Sequence, residues 1–356
     1  MDQSAVLVGA VAACIEQQRP LHVAGMGSKR HLVPAMTCEA LSTVEHTGVI
    51  DYQPSELVVR ARSGTPLKEL QLELAREQQC LMGNPPLFSG RGTVGGAVSA
   101  GLSGPDRVSL GSISDGVLGV TLLNGKAETL SFGGQVMKNV AGYDVSRLVC
   151  GAFGSLGLLL DVSLRTQPIL DHDLTLVFDW DADTALEHCR SMARQPLPVT
   201  ATFWHNHKLF VRLQGNDAAV RSAQQRLGGD TFNDDRLWLQ IRDQQHDFFS
   251  ISQHLGQSLV RVIAPPGAPL PAENISSGES AWALQWQGGL RWFWSEQPDQ
   301  VHAYAQAVGG WAWTYGQAQP LPAAQARIMQ RIKAAFDPQA VFNSPLAFRV
   351  EGGDAD

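Results

Sequence analysis

The sequence predicts an α+β protein built as two unlike units, and three observations carry that expectation. At 356 residues the chain is longer than one hydrophobic core usually organises. All nine tryptophans lie from Trp180 onward, whereas 22 of the 35 glycines fall within the first 170 residues. Strand-like and helix-like runs alternate in the first half, and in the second half they mix with weaker periodicity.

Leu7, Val11 and Cys14 recur at helical spacing and define an amphipathic first helix. Val11-Ala12-Ala13-Cys14 looks superficially like a lipoprotein cleavage site, but no Lys or Arg precedes it and the apolar stretch is too short for a secretory core. Leu21 to Ala24 reads as a strand entering the turn Gly25-Met26-Gly27-Ser28, and Leu57 to Ala61 as a second strand. Thr65 is placed to cap a helix with Pro66 at its first position, Leu67, Leu70 and Leu74 giving the apolar face. Val117 to Leu123 and Ala127 to Phe132 flank Asn124-Gly125, a strong hairpin signal. Asp144 can cap a short helix over Val145 to Leu148, and Leu158 to Leu164 is a strand ended by Pro168. Further on, Leu209 to Leu213 and Leu237 to Ile241 read as strands, and Ala281 to Trp294 as an antiparallel pair around Gly288-Gly289. A last helix spans Ala323 to Phe336, with Ile328, Ile332 and Phe336 on one face, and stops at Asp337-Pro338.

Composition narrows the function. Net charge is −7, which argues against a nucleic-acid partner, and no run of like charges suggests a polybasic membrane patch. No segment is long and apolar enough to span a bilayer. The five cysteines are at least 24 residues apart and none forms CxxC, so neither an iron–sulfur cluster nor a structural zinc is expected. Scattered free thiols suit a reducing cytoplasm.

The densest chemical signal lies between Gly90 and Gly116, where eight glycines occur in 27 residues. Backbone stripped of side chains can approach an anion closely, and successive N–H groups form a nest for phosphate. With no lysine and only Arg91 and Arg107 in that segment, a diphosphate there would be held mainly by amides. Glycine-bearing turns at Gly25 to Ser28 and Gly151 to Gly157 add to it, as an extended cofactor requires. On this reading Gly95→Val is expected to abolish cofactor retention while leaving the chain folded. Gly25-Met26-Gly27-Ser28-Lys29-Arg30 lacks the third glycine of a Rossmann fingerprint, and P-loop, HExxH and GxSxG motifs are absent.

Three other constellations have a bland and a sharp reading. Lys138 to Asp144 is either a turn with a cap or a stretch that sets Lys138 or Tyr143 against a cofactor. His205 and His207 alternate along a strand-like run, as surface residues or as two ligands of a metal lacking a third. Trp292-Phe293-Trp294 and Trp311-Ala312-Trp313 read as core packing, with an interaction surface as the alternative.

Gly92-Thr93-Val94-Gly95-Gly96, Gly101 to Pro105 and Gly111 to Asp115 resemble the FAD-binding PCMH-type domain of the vanillyl-alcohol oxidase superfamily. Phe132 to Asp144, Gly154-Ser155-Leu156-Gly157, Phe336-Asp337-Pro338 and Phe342-Asn343-Ser344-Pro345 resemble more specifically the FAD-binding E subunits of bacterial glycolate oxidase. The likeness covers about Leu21 to Pro168 and the last 35 residues. It implies a PCMH-type FAD-binding domain (two α/β subdomains) over 1–168 and an α+β cap-like domain over 169–320. A C-terminal segment, 321–356, would return to the first.

The resemblance also implies a site. Gly25, Gly27, Ser28 and Lys29 with Thr93, Val94, Gly95 and Gly96 would surround the FAD diphosphate. Ser99, Gly101, Ser103 and Gly104 would continue along the cofactor, Asp115 and Val117 would approach the adenine and ribose, and Gly154 to Gly157 would complete the wall. Gly27 stands where covalent relatives carry histidine, so the FAD is expected to be non-covalent, and no metal-binding HPGDGNxH-like motif occurs. The implied function is the FAD-binding subunit of a glycolate oxidase (dehydrogenase) complex, which oxidises glycolate to glyoxylate and passes electrons to a quinone-type acceptor. A second flavin subunit and an iron–sulfur subunit are its expected partners, a small 2-hydroxy acid being met through the complex. Its location would be cytoplasmic or peripheral at the inner membrane, and no catalytic base is assigned. Two rivals are a self-sufficient FAD-dependent oxidoreductase for another small acid or alcohol, and a structural subunit with a degenerate FAD fold.

Overall fold

The computed structural model describes residues 1–134, 144–271, 275, 278–318, 320–342 and 349–350. Lys138 to Tyr143 and Asn343 to Pro345 lie outside the described residues. The chain divides into a first unit of 1–102, 112–168 and 316–356 and a second of 103–111 and 169–315. Residues 103–111, which the sequence reading leaves in the first domain, group with the second unit.

The first unit opens with α1 (Ser4–Glu16), which buries Leu7, Val11 and Cys14. Strand β1 (Leu21–Ala24) pairs in parallel with β2 (Glu39–Ser42). β3 (Val49–Gln53) and β4 (Val58–Arg62) are followed by α2 (Leu67–Arg76), β5 (Gln79–Leu81) and α3 (Val94–Ala100). Thr65 does not cap α2. Its hydroxyl is held by the backbone of Gly48, accepting from N at 3.0 Å and donating to O at 3.3 Å. After α4 (Arg107–Leu110), which groups with the second unit, come α5 (Ile113–Gly116), β6 (Val117–Leu123) and β7 (Thr129–Gly133). Asn124 closes the β6–β7 turn over several residues, its Oδ1 accepting from Lys126 N and Glu128 N at 2.9 Å each. Asp144 caps α6 (Val145–Leu148), accepting from Arg147 N at 3.2 Å.

β8 (Leu158–Pro168) is the spine of this unit, hydrogen-bonded to β4, β5 and β6 in a sheet ordered β3-β4-β8-β6-β7. The apolar stripes of α2 and α3 pack on it: Leu67, Leu70, Leu74, Val94, Ala97 and Val98 share one core with Val59, Val120, Leu159 and Val162. Such a core is what fixes α3, since a helix of two turns has little stability of its own.

The second unit carries an eight-stranded antiparallel sheet. Its strands are β9 (His172–Asp179), β10 (Val199–His205), β11 (Lys208–Gly215), β12 (Asp230–Thr231), β13 (Ser258–Ile263), β14 (Trp282–Gln285), β15 (Leu290–Ser295) and β16 (Trp311–Thr314), in the order β12-β9-β11-β10-β14-β15-β13-β16. Period-two alternation divides its faces. Trp204, Leu209 and Val211 join α7 (Ala182–Ala193) and α8 (Asp217–Leu227), and Val260 and Phe293 join α10 (Pro298–Ala307). Phe203, Phe210, Trp292 and Trp294 face the other way, into an aromatic core with α9 (Leu237–Arg242). The expected strand at Leu237 to Ile241 is therefore a helix: Leu237, Trp238 and Ile241 are buried while Leu239 is half exposed. Asn206 and His207 both have positive φ and form a two-residue hairpin turn, so His205 and His207 do not share a strand face.

The chain re-enters the first unit with β17 (Pro320–Leu321), α11 (Ala323–Phe336) and β18 (Arg349–Val350). Ile332 and Phe336 of α11 pack on the first core, but Ile328 is 58% exposed and does not join their face. Leu21 N donates to Val341 O at 2.8 Å, which ties the returning segment to the strand that leads into the site.

Candidate functional site

A cavity of about 690 Å³ opens in the first unit, within the usual size of a ligand pocket. Its floor starts where β1 ends. The chain leaves the strand at Gly25, turns through Gly27 at φ +72°, and enters a short 3₁₀ turn at Arg30–Leu32. Among the described residues, the N–H groups of Gly25, Met26, Gly27 and Ser28 have no hydrogen-bond acceptor. Four adjacent donors open to a cavity are free to take an acceptor that enters it.

The opposite wall is α3. Thr93 caps it, Oγ1 accepting from Gly96 N at 3.2 Å, and Gly96, Ser99 and Ala100 line the cavity. The first amides of α3 are already used: Val94 N donates to Thr65 O at 2.9 Å and Gly95 N to Ser63 O at 2.7 Å. Of the donors expected from 93–96, the N–H groups of Val94, Gly95 and Gly96 are therefore already engaged, and the longer unpartnered run sits in the 25–28 turn. Gly95 is glycine for packing, because an added Cβ would lie 2.6 Å from Ser63 Cβ and 3.0 Å from Ser63 O. Gly95→Val therefore tests the seating of α3 on the sheet before it tests a ligand.

Phe153, Gly154 and Gly157 form the third wall, held to α3 by Phe153 N donating to Ser99 O at 2.9 Å. Gly101 belongs to the same joint. At φ +62° it ends α3, and an added Cβ would stand 3.0 Å from Gly151 N.

Ten of the sequence-derived site residues line this cavity: Gly25, Gly27, Ser28, Lys29, Thr93, Gly95, Gly96, Ser99, Gly154 and Gly157. Six fall outside its lining. Val94 is in the core, Val117 is a buried strand residue, and Asp115 forms a capping box with Ser112. Gly101 makes the turn contact just described, and Ser103 and Gly104 group with the second unit, where Gly104 O accepts from Trp286 Nε1 at 2.9 Å.

The lining also contains residues the sequence reading passed over. Arg30 Nε lies 3.2 Å from where a Cβ on Gly27 would be, and Arg91 Nη2 donates to Met26 O at 3.2 Å. Together with Lys29 they give the cavity three cationic side chains, and among the described residues no Asp or Glu lines it. Ser63, 2% exposed, lines it with a hydroxyl that has no hydrogen-bond partner among the described residues. A signal for the arginines exists in the sequence, since Arg30 and Arg91 flank the two glycine turns. Ser63 has the weaker signal of following the end of a strand, as Gly25 does. Unpartnered amides, an orphaned buried hydroxyl and a cationic lining together fit an extended polyanion such as a dinucleotide diphosphate.

The histidines elsewhere do not build a rival site. His205 is half-buried, its Nδ1 3.1 Å from Trp282 O, and burial lowers its pKa. Among the described residues no group of three His, Cys, Asp or Glu side chains could hold a metal ion. No helix among them is long and apolar enough to cross a membrane.

Comparison with known proteins agrees with this geometry. A family model described as an FAD binding domain matches residues 2–133. The chain is 37% identical over 350 residues to the glycolate oxidase subunit GlcE of Escherichia coli (strain K12), covering 96% of each. It is 27% identical over 121 residues to the glycolate oxidase subunit GlcD of Bacillus subtilis (strain 168), covering 33% of this chain and 26% of that one. A solved structure of alkyldihydroxyacetonephosphate synthase superposes with a TM-score of 0.66 over 94% of this chain and 74% of that one. At 13% identity that likeness speaks for the fold alone.

Proposed function

The chain belongs to the glycolate oxidase GlcE family of FAD-binding proteins, and from that premise we propose that it is the FAD-binding subunit of a glycolate oxidase (dehydrogenase) complex converting glycolate to glyoxylate. The observation that carries the reading is the cavity of the first unit, with its four unpartnered amides at Gly25 to Ser28. Those N–H groups donate to the FAD diphosphate, while Lys29, Arg30 and Arg91 offset its charge. Ser63 donates its orphaned hydroxyl to the cofactor, and Gly96 and Gly154 let it pass close to the backbone. Bound FAD supplies a hydride acceptor for the oxidation of a hydroxy acid. With Gly27 in the turn, the chain holds its cofactor by these contacts and not by a covalent bond.

The partners follow from the same reading: a second flavin subunit, an iron–sulfur subunit and a quinone-type acceptor, with the complex peripheral to the inner membrane. Spectra of the purified chain test the first step. Flavin absorption that passes entirely into the supernatant on acid precipitation supports non-covalent FAD. A chain that stays colourless after incubation with FAD contradicts the assignment, and flavin retained in the precipitate contradicts the non-covalent mode. Copurification with the two partner subunits, with flavin counted per chain, tests the assembly.

A further inference from the structure

In the second unit, Arg261 lies in the interior of the sheet, on β13 between Trp292 of β15 and Trp313 of β16. Its neighbours Val260 and Val262 pack with Phe293 and Val301, so alternation puts Arg261 on the aromatic face. There its guanidinium carbon is 5.2 Å from the Trp286 ring and 5.8 Å from the Trp292 ring. It is 7% exposed, yet among the described residues it has neither a carboxylate nor a hydrogen-bond acceptor. Arg291, also buried in this sheet, shows what a structural arginine looks like. Its nitrogens donate to Gly288 O at 3.1 Å, Pro269 O at 2.6 Å and Ala268 O at 2.8 Å, as well as to the Tyr304 hydroxyl.

Arg261 has the Tyr315 side chain as an electrostatic neighbour, its hydroxyl accepting from Gln244 Nε2 at 2.8 Å, and further donors lie close by. Arg107 lies 4.9 Å from the same Trp286 ring, and Trp292 Nε1 is buried with no hydrogen-bond partner among the described residues. Trp286 is held in place at a cost: it and Gln287 both adopt left-handed backbone, φ +53° and +55°. Trp286 Nε1 to Gly104 O and Gln287 N to Thr202 Oγ1, at 2.9 and 2.8 Å, keep that turn. A guanidinium set among aromatic rings, with five donors and no protein acceptor, is open to completion by an anion.

We propose that Arg261 is the centre of an anion site that takes the carboxylate of a small organic acid. The planar guanidinium fork matches the two oxygens of a carboxylate, and the indole rings of Trp286 and Trp292 suit the short carbon stem behind it. The inference uses no residue of the flavin cavity and goes beyond the proposed function.

Oxalate, which offers a carboxylate and no oxidisable alcohol, is titrated into the full chain by calorimetry and by tryptophan fluorescence, with inorganic phosphate in parallel. Oxalate is expected to bind more tightly than phosphate. Arg261→Met should weaken it roughly tenfold or more, without lowering the ligand-free thermal midpoint, because the variant removes an unpaired buried charge. Arg261→Lys, which keeps the charge and loses the fork, should fall between the two. Flavin content is read in every sample, so failure of this site and failure of the FAD assignment are seen separately. Wild-type affinity for oxalate in the methionine variant overturns the proposal, as does oxalate binding no tighter than phosphate.

Discussion

Gly25 and Thr93 face each other across the mouth of the amide turn, and exchanging them tests the geometry quantitatively. A Cβ added at Gly25 would stand 2.5 Å from Thr93 Oγ1, 3.0 Å from its Cγ2 and 3.3 Å from its Cβ. The backbone of Gly25 needs no left-handed conformation, so Gly25→Ala acts through this contact alone. Overpacking of that size costs about 1–3 kcal/mol, and Thr93, 3% exposed, has little room to move. Pushing Thr93 aside also breaks its cap on α3, worth about 1 kcal/mol. Thr93→Ala by itself loses only the cap, and in the double variant the two closest atoms are gone. The double-mutant cycle should therefore show the pair less destabilised than the sum of the singles, by about 1–2 kcal/mol. FAD affinity is expected to fall with Gly25→Ala and largely to return in the double variant. Denaturant unfolding and flavin titration of the four proteins measure both quantities. Strictly additive losses, or unchanged FAD binding in Gly25→Ala, would refute the placement of this turn.

Other outcomes follow from the same structure. Asp337, buried, accepts from Val341 N at 2.9 Å and Phe342 N at 2.8 Å and pairs with Lys333, which also donates to Phe342 O at 2.6 Å. Asp337→Ala strands these donors and should cost about 3–5 kcal/mol in urea unfolding of the first unit. His246 packs edge-on against Phe203, and burial, with His205 nearby, lowers its pKa from 6.5 to about 4. Between those values the unfolded chain binds the extra proton. Stability from this group is therefore complete above about pH 6.5, is lost as pH falls toward 4, and is level below. Discounted for partial exposure, the loss is about 2 kcal/mol, and His246→Phe should shrink it in unfolding curves taken across that window. Burial pushes the Cys150 and Cys189 thiols up to about 12 each, so both should resist iodoacetamide at neutral pH in the native chain, as peptide mapping would show.

Much of the fold was legible because the periodicities were local. Leu7, Val11 and Cys14 marked α1, Leu67, Leu70 and Leu74 marked α2, and the buried tryptophans of β15 read correctly as core. Where the reading failed, a neighbour distant in sequence decided. Leu237, Leu239 and Ile241 alternate like a strand, but the aromatic face of the sheet takes Trp238 in place of Leu239 and winds the segment into a helix. Thr65 looks like a cap until Gly48 claims its hydroxyl. The glycine turns pointed to the cavity, but sequence does not separate a glycine that packs from one that lines it. Gly95 is small because Ser63 is behind it, and Gly101 because Gly151 is. Arg30, Arg91 and Ser63 joined the cavity only once the fold had brought their segments together.

Hydrogen exchange at Gly25, Met26, Gly27 and Ser28, with and without FAD, tests the central claim most directly. These amides should exchange quickly in the free chain and slow markedly when FAD is added, while Gly95, already bonded to Ser63, changes little. If FAD binds and these four amides exchange as before, the diphosphate lies elsewhere and the account of the site is wrong.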